Sequence, residues 1–91
     1  MNFIYTITSV NIENHSTRCF TWASTLDKAF EIIHQGLEFF TESGNYNYVV
    51  IEEVPAGNIT QEYREWWLRW DNNEWQRTET PNEGVGRYGI G

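Results

Sequence analysis

The chain has 91 residues, 40% of them apolar and 16% aromatic, with a formal net charge of −7. That is enough apolar material for one packed domain and argues against a disordered chain. Six Lys and Arg against thirteen Asp and Glu, with Lys28 the single lysine, argue against direct nucleic-acid binding and against an anionic membrane surface, both of which need clustered cations.

The first element is a strand. Residues 2–10 alternate apolar and polar side chains, with Phe3, Tyr5 and Ile7 on one side. The polar stretch "NIENHST" reads as a turn. "RCFTWA", 18–23, follows as a second strand with Phe20 and Trp22 on one face, completing a hairpin. The period then changes. "STLDKAFEIIHQGLEFF" predicts a helix that Ser24 or Thr25 can cap, and Ser24 with Asp27 has capping-box spacing. Leu26, Ala29, Phe30, Ile33, Leu37 and Phe40 fall in one stripe at 100° per residue, and Gly44 is a plausible stop.

"YNYVVIEEV", 46–54, is apolar on both faces in its middle, which suits a central strand. Pro55 and Gly57 end it. Residues 59–70 fit either a helix or a strand, because Ile59, Tyr63, Trp66 and Trp70 have helical spacing. A strand over 64–70 is favoured, since Asp71-Asn72-Asn73-Glu74 makes a good hairpin turn and "EWQRTET" follows it. Residues 81–91 read as a Gly-rich C-terminal tail. The expected class is α+β: a two-layer single domain over 1–91, with one helix packed on a mainly antiparallel sheet in the order β-β-α-β-β-β.

Three of the five tryptophans fall within "EWWLRW", 65–70. On a strand, Trp66, Leu68 and Trp70 share one face, and a two-residue turn pairs Trp70 with Trp75. That face is expected to meet the helix stripe as core. Trp67 points the other way, between Glu65 and Arg69. One helix cannot cover both sides of such a sheet, so Trp67 is expected to be exposed unless Arg69 or the tail lies over it. Trp67, Arg69 and Glu65 thus form a candidate binding face. On the helix, Ile32 and Phe39 lie opposite the core stripe, and Gly36 would let another backbone approach closely. Ile32, Phe39 and Gly36 form a candidate self-association face, so a homodimer is one expectation.

Catalytic chemistry is hard to find. Gly84-x-Gly86-x-x-Gly89 matches a dinucleotide string but lacks the following helix that would hold a pyrophosphate. Cys19, His15 and His34 lack metal-ligand spacing, and a small buried thiol with two ordinary imidazoles is the expectation. Glu52 and Glu53 are adjacent on a strand and so face opposite sides. One of them is expected to pair with an arginine such as Arg64, Arg69 or Arg77. No catalytic residue, cofactor or metal is expected. A single cysteine and the absence of a basic-then-apolar start fit a cytoplasmic protein.

"YNYVVIEEVPAG" at 46–57, "EWWLRW" at 65–70, Pro81 and "YGIG" at 88–91 together resemble a family of small uncharacterised bacterial and phage-associated proteins. The resemblance extends over nearly the whole chain and implies a compact intracellular domain. It assigns no activity and no site residues. The functional expectation is therefore a non-enzymatic binding or adaptor protein with an unidentified protein partner. The alternative is an acidic inhibitor or mimic that occupies a basic phosphate- or nucleic-acid-binding site on another protein.

Overall fold

Five strands, one α-helix and a short 3-10 helix make up the residues described by the computed structural model, 3–55 and 64–81. They are β1 (Phe3–Val10), β2 (Thr17–Ala23), α1 (Leu26–Gly36), the 3-10 helix Leu37–Thr41, β3 (Tyr48–Pro55), β4 (Glu65–Asp71) and β5 (Glu74–Thr78). The sheet order is β2-β1-β3-β4-β5, with every neighbouring pair antiparallel. The α+β class is the expected one, and β3, apolar on both faces, is the middle strand. The ambiguous residues 59–63, the glycine string and the rest of the tail lie outside the described residues. Among the described residues no helix is long and apolar enough to cross a membrane.

Local chemistry explains the connections. Asn11 folds the β1–β2 turn by accepting from the Glu13 and Asn14 amides at 2.9 and 3.2 Å, and Asn14 does the same for Ser16 at 2.9 Å. Asn72 and Asn73 both have positive φ, 52° and 61°, as a two-residue type I′ turn requires. That turn sets Trp70 opposite Trp75, with ring centroids 5.0 Å apart. Thr25, not Ser24, caps α1: its hydroxyl accepts from the Lys28 amide at 3.1 Å.

The helix covers one sheet face. Ile7, Ala23, Ala29, Ile33, Phe40, Val49, Ile51, Leu68 and Trp75 form that core, with Trp66 and Trp70 packed at its margin. The expected stripe fails at one position. Leu37 takes φ 42°, ψ −118°, a conformation hostile to a side chain, and the chain tightens into the 3-10 helix. Leu37 is consequently 46% exposed instead of in the core. The Trp75 indole N–H donates to the Leu37 carbonyl at 2.8 Å and helps hold the distorted residue.

The second sheet face corrects the sequence reading most. Thr6, Thr8, Val10, Val50, Glu52 and Trp67 alternate away from the helix, yet none is more than 5% exposed. Trp67 packs with Val10 and Val50 and meets Tyr48 edge-on at 6.2 Å. It is a core residue of a second cluster, not an exposed anchor. A second correction concerns β2. Thr21 lies opposite Ile7 and Cys19 opposite Thr8, so Phe20 is the extra residue of a β-bulge. The bulge reverses the alternation. Phe20 joins the helix-side core while Trp22 turns to the other face, 59% exposed. Cys19, expected to be buried, is exposed on this edge strand.

A candidate binding groove beside the edge strand

β2 is an outer strand, and among the described residues nothing pairs with its free side. The helix layer beside it ends in Phe39 and Phe40. Phe40 is pulled into the core, 2% exposed, and its carbonyl accepts from the Ser9 hydroxyl at 2.6 Å. Phe39 remains outside at 63% exposure. The bulged Phe20 meets both rings nearly edge-on, with centroids 5.2 Å from Phe39 and 5.5 Å from Phe40, and the two neighbours lie 5.2 Å apart. Edge-to-face geometry at these distances is favourable for aromatic pairs.

Two concavities flank the Phe39 ring. The one toward the helix, about 400 Å³, is lined by Phe20, Thr21, Ile32, Gly36, Phe39 and Phe40, with the polar Gln35 beside them. The other, about 590 Å³, is lined by Arg18, Phe20, Glu38, Phe39 and Glu42 among others. Arg18 places its guanidinium 5.0 Å from the Phe20 ring centroid and forms an ion pair with Glu42.

The structure therefore brings Ile32, Gly36 and Phe39, the candidate self-association residues, into one concavity. Their roles differ from those expected. Ile32 is half-buried against the core. A methyl group on Gly36 would lie 2.5 Å from the Phe40 ring, so the space above this glycine is already filled from within. Only Phe39 offers a large free surface. Phe20 and Trp22 matter more to this site than the sequence suggests, because the bulge that divides them has no signature in a single sequence.

The other candidate residues gather on the second face without forming an exposed aromatic patch. Trp67 is buried, Glu65 is partly buried opposite Glu52, and Arg69 lies 3.8 Å from Asp71 with its side chain 54% exposed. The register of β3 against β4 sets Glu52 across from Glu65, a pairing invisible before strand order is known. Glu52 and Glu53 do face opposite sides. Glu53 is buried on the helix side, where Arg64 donates to both its oxygens at 3.1 and 2.7 Å and the Tyr5 hydroxyl donates at 3.1 Å. The Arg64 hydrogen bonds, with those of Tyr5, hold the Glu53 carboxyl below its ordinary value against the opposing effect of burial. Burial and the adjacent carboxylate raise the Tyr5 phenol above its ordinary value. No group of three or more His, Cys, Asp and Glu among the described residues is placed to hold a metal ion.

Comparison with protein-family models, with curated proteins and with solved structures finds no match.

Proposed function

We propose that this chain is a non-enzymatic interaction module that captures an extended segment of a protein partner along the outer edge of β2. The carrying observation is a coincidence of three features: a free strand edge, Phe39 exposed on one face of it and Trp22 exposed on the other. Strand addition supplies backbone hydrogen bonds that are indifferent to sequence, and the flanking rings supply selectivity. An aromatic side chain presents roughly 150–250 Å². Burying the exposed part of Phe39 and of Trp22 would thus remove roughly 100–150 Å² of each from water, about 3 kcal/mol per ring before the costs of association.

The opposite edge is less suited. β5 is five residues long, with Glu74, Gln76 and Arg77 exposed along it, and Arg77 lies 4.9 Å from the Phe30 ring centroid. Short, charged edges resist pairing.

The test is selection of peptides from a random display library on the folded protein, followed by amide chemical-shift mapping. The proposal expects selected peptides to shift the amides of Thr17–Ala23 and to lose about tenfold or more in affinity on Phe39→Ala. Peptides that bind equally well to Phe39→Ala, or that perturb a different surface, would overturn it.

A further inference from the structure

The two concavities beside β2 differ in chemistry, and the difference specifies the guest. Resting on the edge-binding reading above, we propose that the groove recognises a basic segment in which an apolar residue precedes an arginine or lysine by two positions. The concavity at Thr21 is walled by Phe20, Ile32, Phe39 and Phe40. The concavity at Arg18 shares Phe20 and Phe39 but carries the Arg18–Glu42 ion pair and the carboxylate of Glu38 at its rim.

Successive side chains on one face of a strand are roughly 6.5–7 Å apart. The two concavities share the Phe20 and Phe39 rings and follow one another along the helix side of β2, so neighbouring side chains on one face of an added strand, positions i and i+2, would enter them in turn. Every pairing in this sheet is antiparallel, and a guest that continues the pattern runs against β2. It meets the Thr21 end first and the Arg18 end second, which places the apolar residue before the basic one. The chain itself shows that a guanidinium suits the second concavity: Arg18 stacks on Phe20 and pairs with Glu42. Glu38 is exposed on the same rim, and no ion pair to it is present among the described residues. A cation over Phe39 would gain both that carboxylate and the ring face.

Charge favours a basic segment over a second copy of the chain. Two molecules of net charge −7 repel, whereas a basic segment is drawn to that charge.

The test uses an immobilised set of octapeptides, threonine at all positions except the third and fifth, which run through every amino acid. Labelled wild-type protein is applied at low salt and again at about 0.5 M NaCl, where surface charges are screened. The expected result is signal concentrated on peptides with an apolar third and a basic fifth residue. Reversing the two should weaken binding about tenfold, and salt should erase the basic preference while leaving the apolar one. Glu38→Gln, a change at an exposed position, should have the same effect as salt. Binding without a basic preference overturns this inference and leaves the edge-binding reading standing. No binding to any octapeptide overturns it too, with the library selection deciding separately whether the edge binds at all. A stable dimer with protected β2 amides in sedimentation and hydrogen-exchange measurements overturns both.

Discussion

Gly36→Ala separates two opposing effects. Gly36 has an ordinary helical conformation, φ −79° and ψ −21°, so alanine suits its backbone. On propensity alone, the change should stabilise the helix by about 1 kcal/mol. The added methyl, however, would lie 2.5 Å from one carbon of the Phe40 ring and 3.0 Å from the next. Overfilling a packed site costs about 1–3 kcal/mol when neighbours cannot yield. Phe40 cannot yield easily: it is 2% exposed and wedged edge-on between Phe20 and Phe39. Overpacking should therefore outweigh propensity, leaving a net loss of about 1 kcal/mol. Urea unfolding of wild type, Gly36→Ala, Phe40→Leu and the double variant measures it as a thermodynamic cycle. A smaller residue at 40 should relieve the clash and give a coupling of about 1–2 kcal/mol. If Gly36→Ala instead stabilises by about 1 kcal/mol and the two changes simply add, the ring does not fill the space over Gly36. The glycine would then be free to admit an outside backbone after all.

Other measurements test other parts of the structure. Because Arg64 holds Glu53 below the ordinary carboxyl value of 4.5, this pair stabilises the fold fully above that value and loses its contribution as pH falls through the lower, folded one. Urea midpoints should drop below about pH 4.5 less steeply in Glu53→Gln than in wild type, and identical slopes would remove Glu53 from the account. Acrylamide quenching should find the accessible, red-shifted fluorescence in Trp22, 59% exposed, and a protected component in Trp67, 2% exposed. Trp22→Phe should remove most of the readily quenched fraction, leaving the part from the half-buried Trp66 and Trp70, and Trp67→Phe should leave it intact, and the opposite pattern would restore Trp67 as a surface residue. Thr25→Ala should destabilise by about 1 kcal/mol through loss of the cap, while Ser24→Ala should change stability by less than about 0.5 kcal/mol. Equal losses at both positions would contradict the observed capping.

What could be read from the sequence was what each segment encodes by itself. The period-two runs of β1 and β4, the two-faced apolar run of β3, the helical stripe through Ile33 and the Asn72–Asn73 turn all carry local signals, and all lie where those signals place them. The departures arise where one segment acts on another. Trp67 is buried in a second cluster with Val10 and Val50, on the two preceding strands of the sheet order, which a strand-by-strand reading does not assemble. Leu37 leaves the stripe because the chain breaks from α to 3-10 geometry there, and Trp75, distant in sequence, holds its carbonyl. Gly36 was legible as a site of close approach, but which group approaches depends on the fold.

The bulge at Phe20 joins these corrections to the proposed function. Without the extra residue, β2 would keep strict alternation, Phe20 and Trp22 would share one face, and the other face of the edge would lack its tryptophan. The bulge sends Phe20 toward the helix, where it braces Phe39, and turns Trp22 to the opposite side. Bulges are among the devices that discourage indiscriminate pairing at a sheet edge. Here the distortion also divides the aromatic surface between both faces of the strand. A guest must then satisfy a perturbed register and two sets of rings together, which favours a selective partner over general edge-to-edge aggregation. The predominance of carboxylates, with a net charge of −7, acts in the same direction by repelling further copies of the chain and attracting a basic segment.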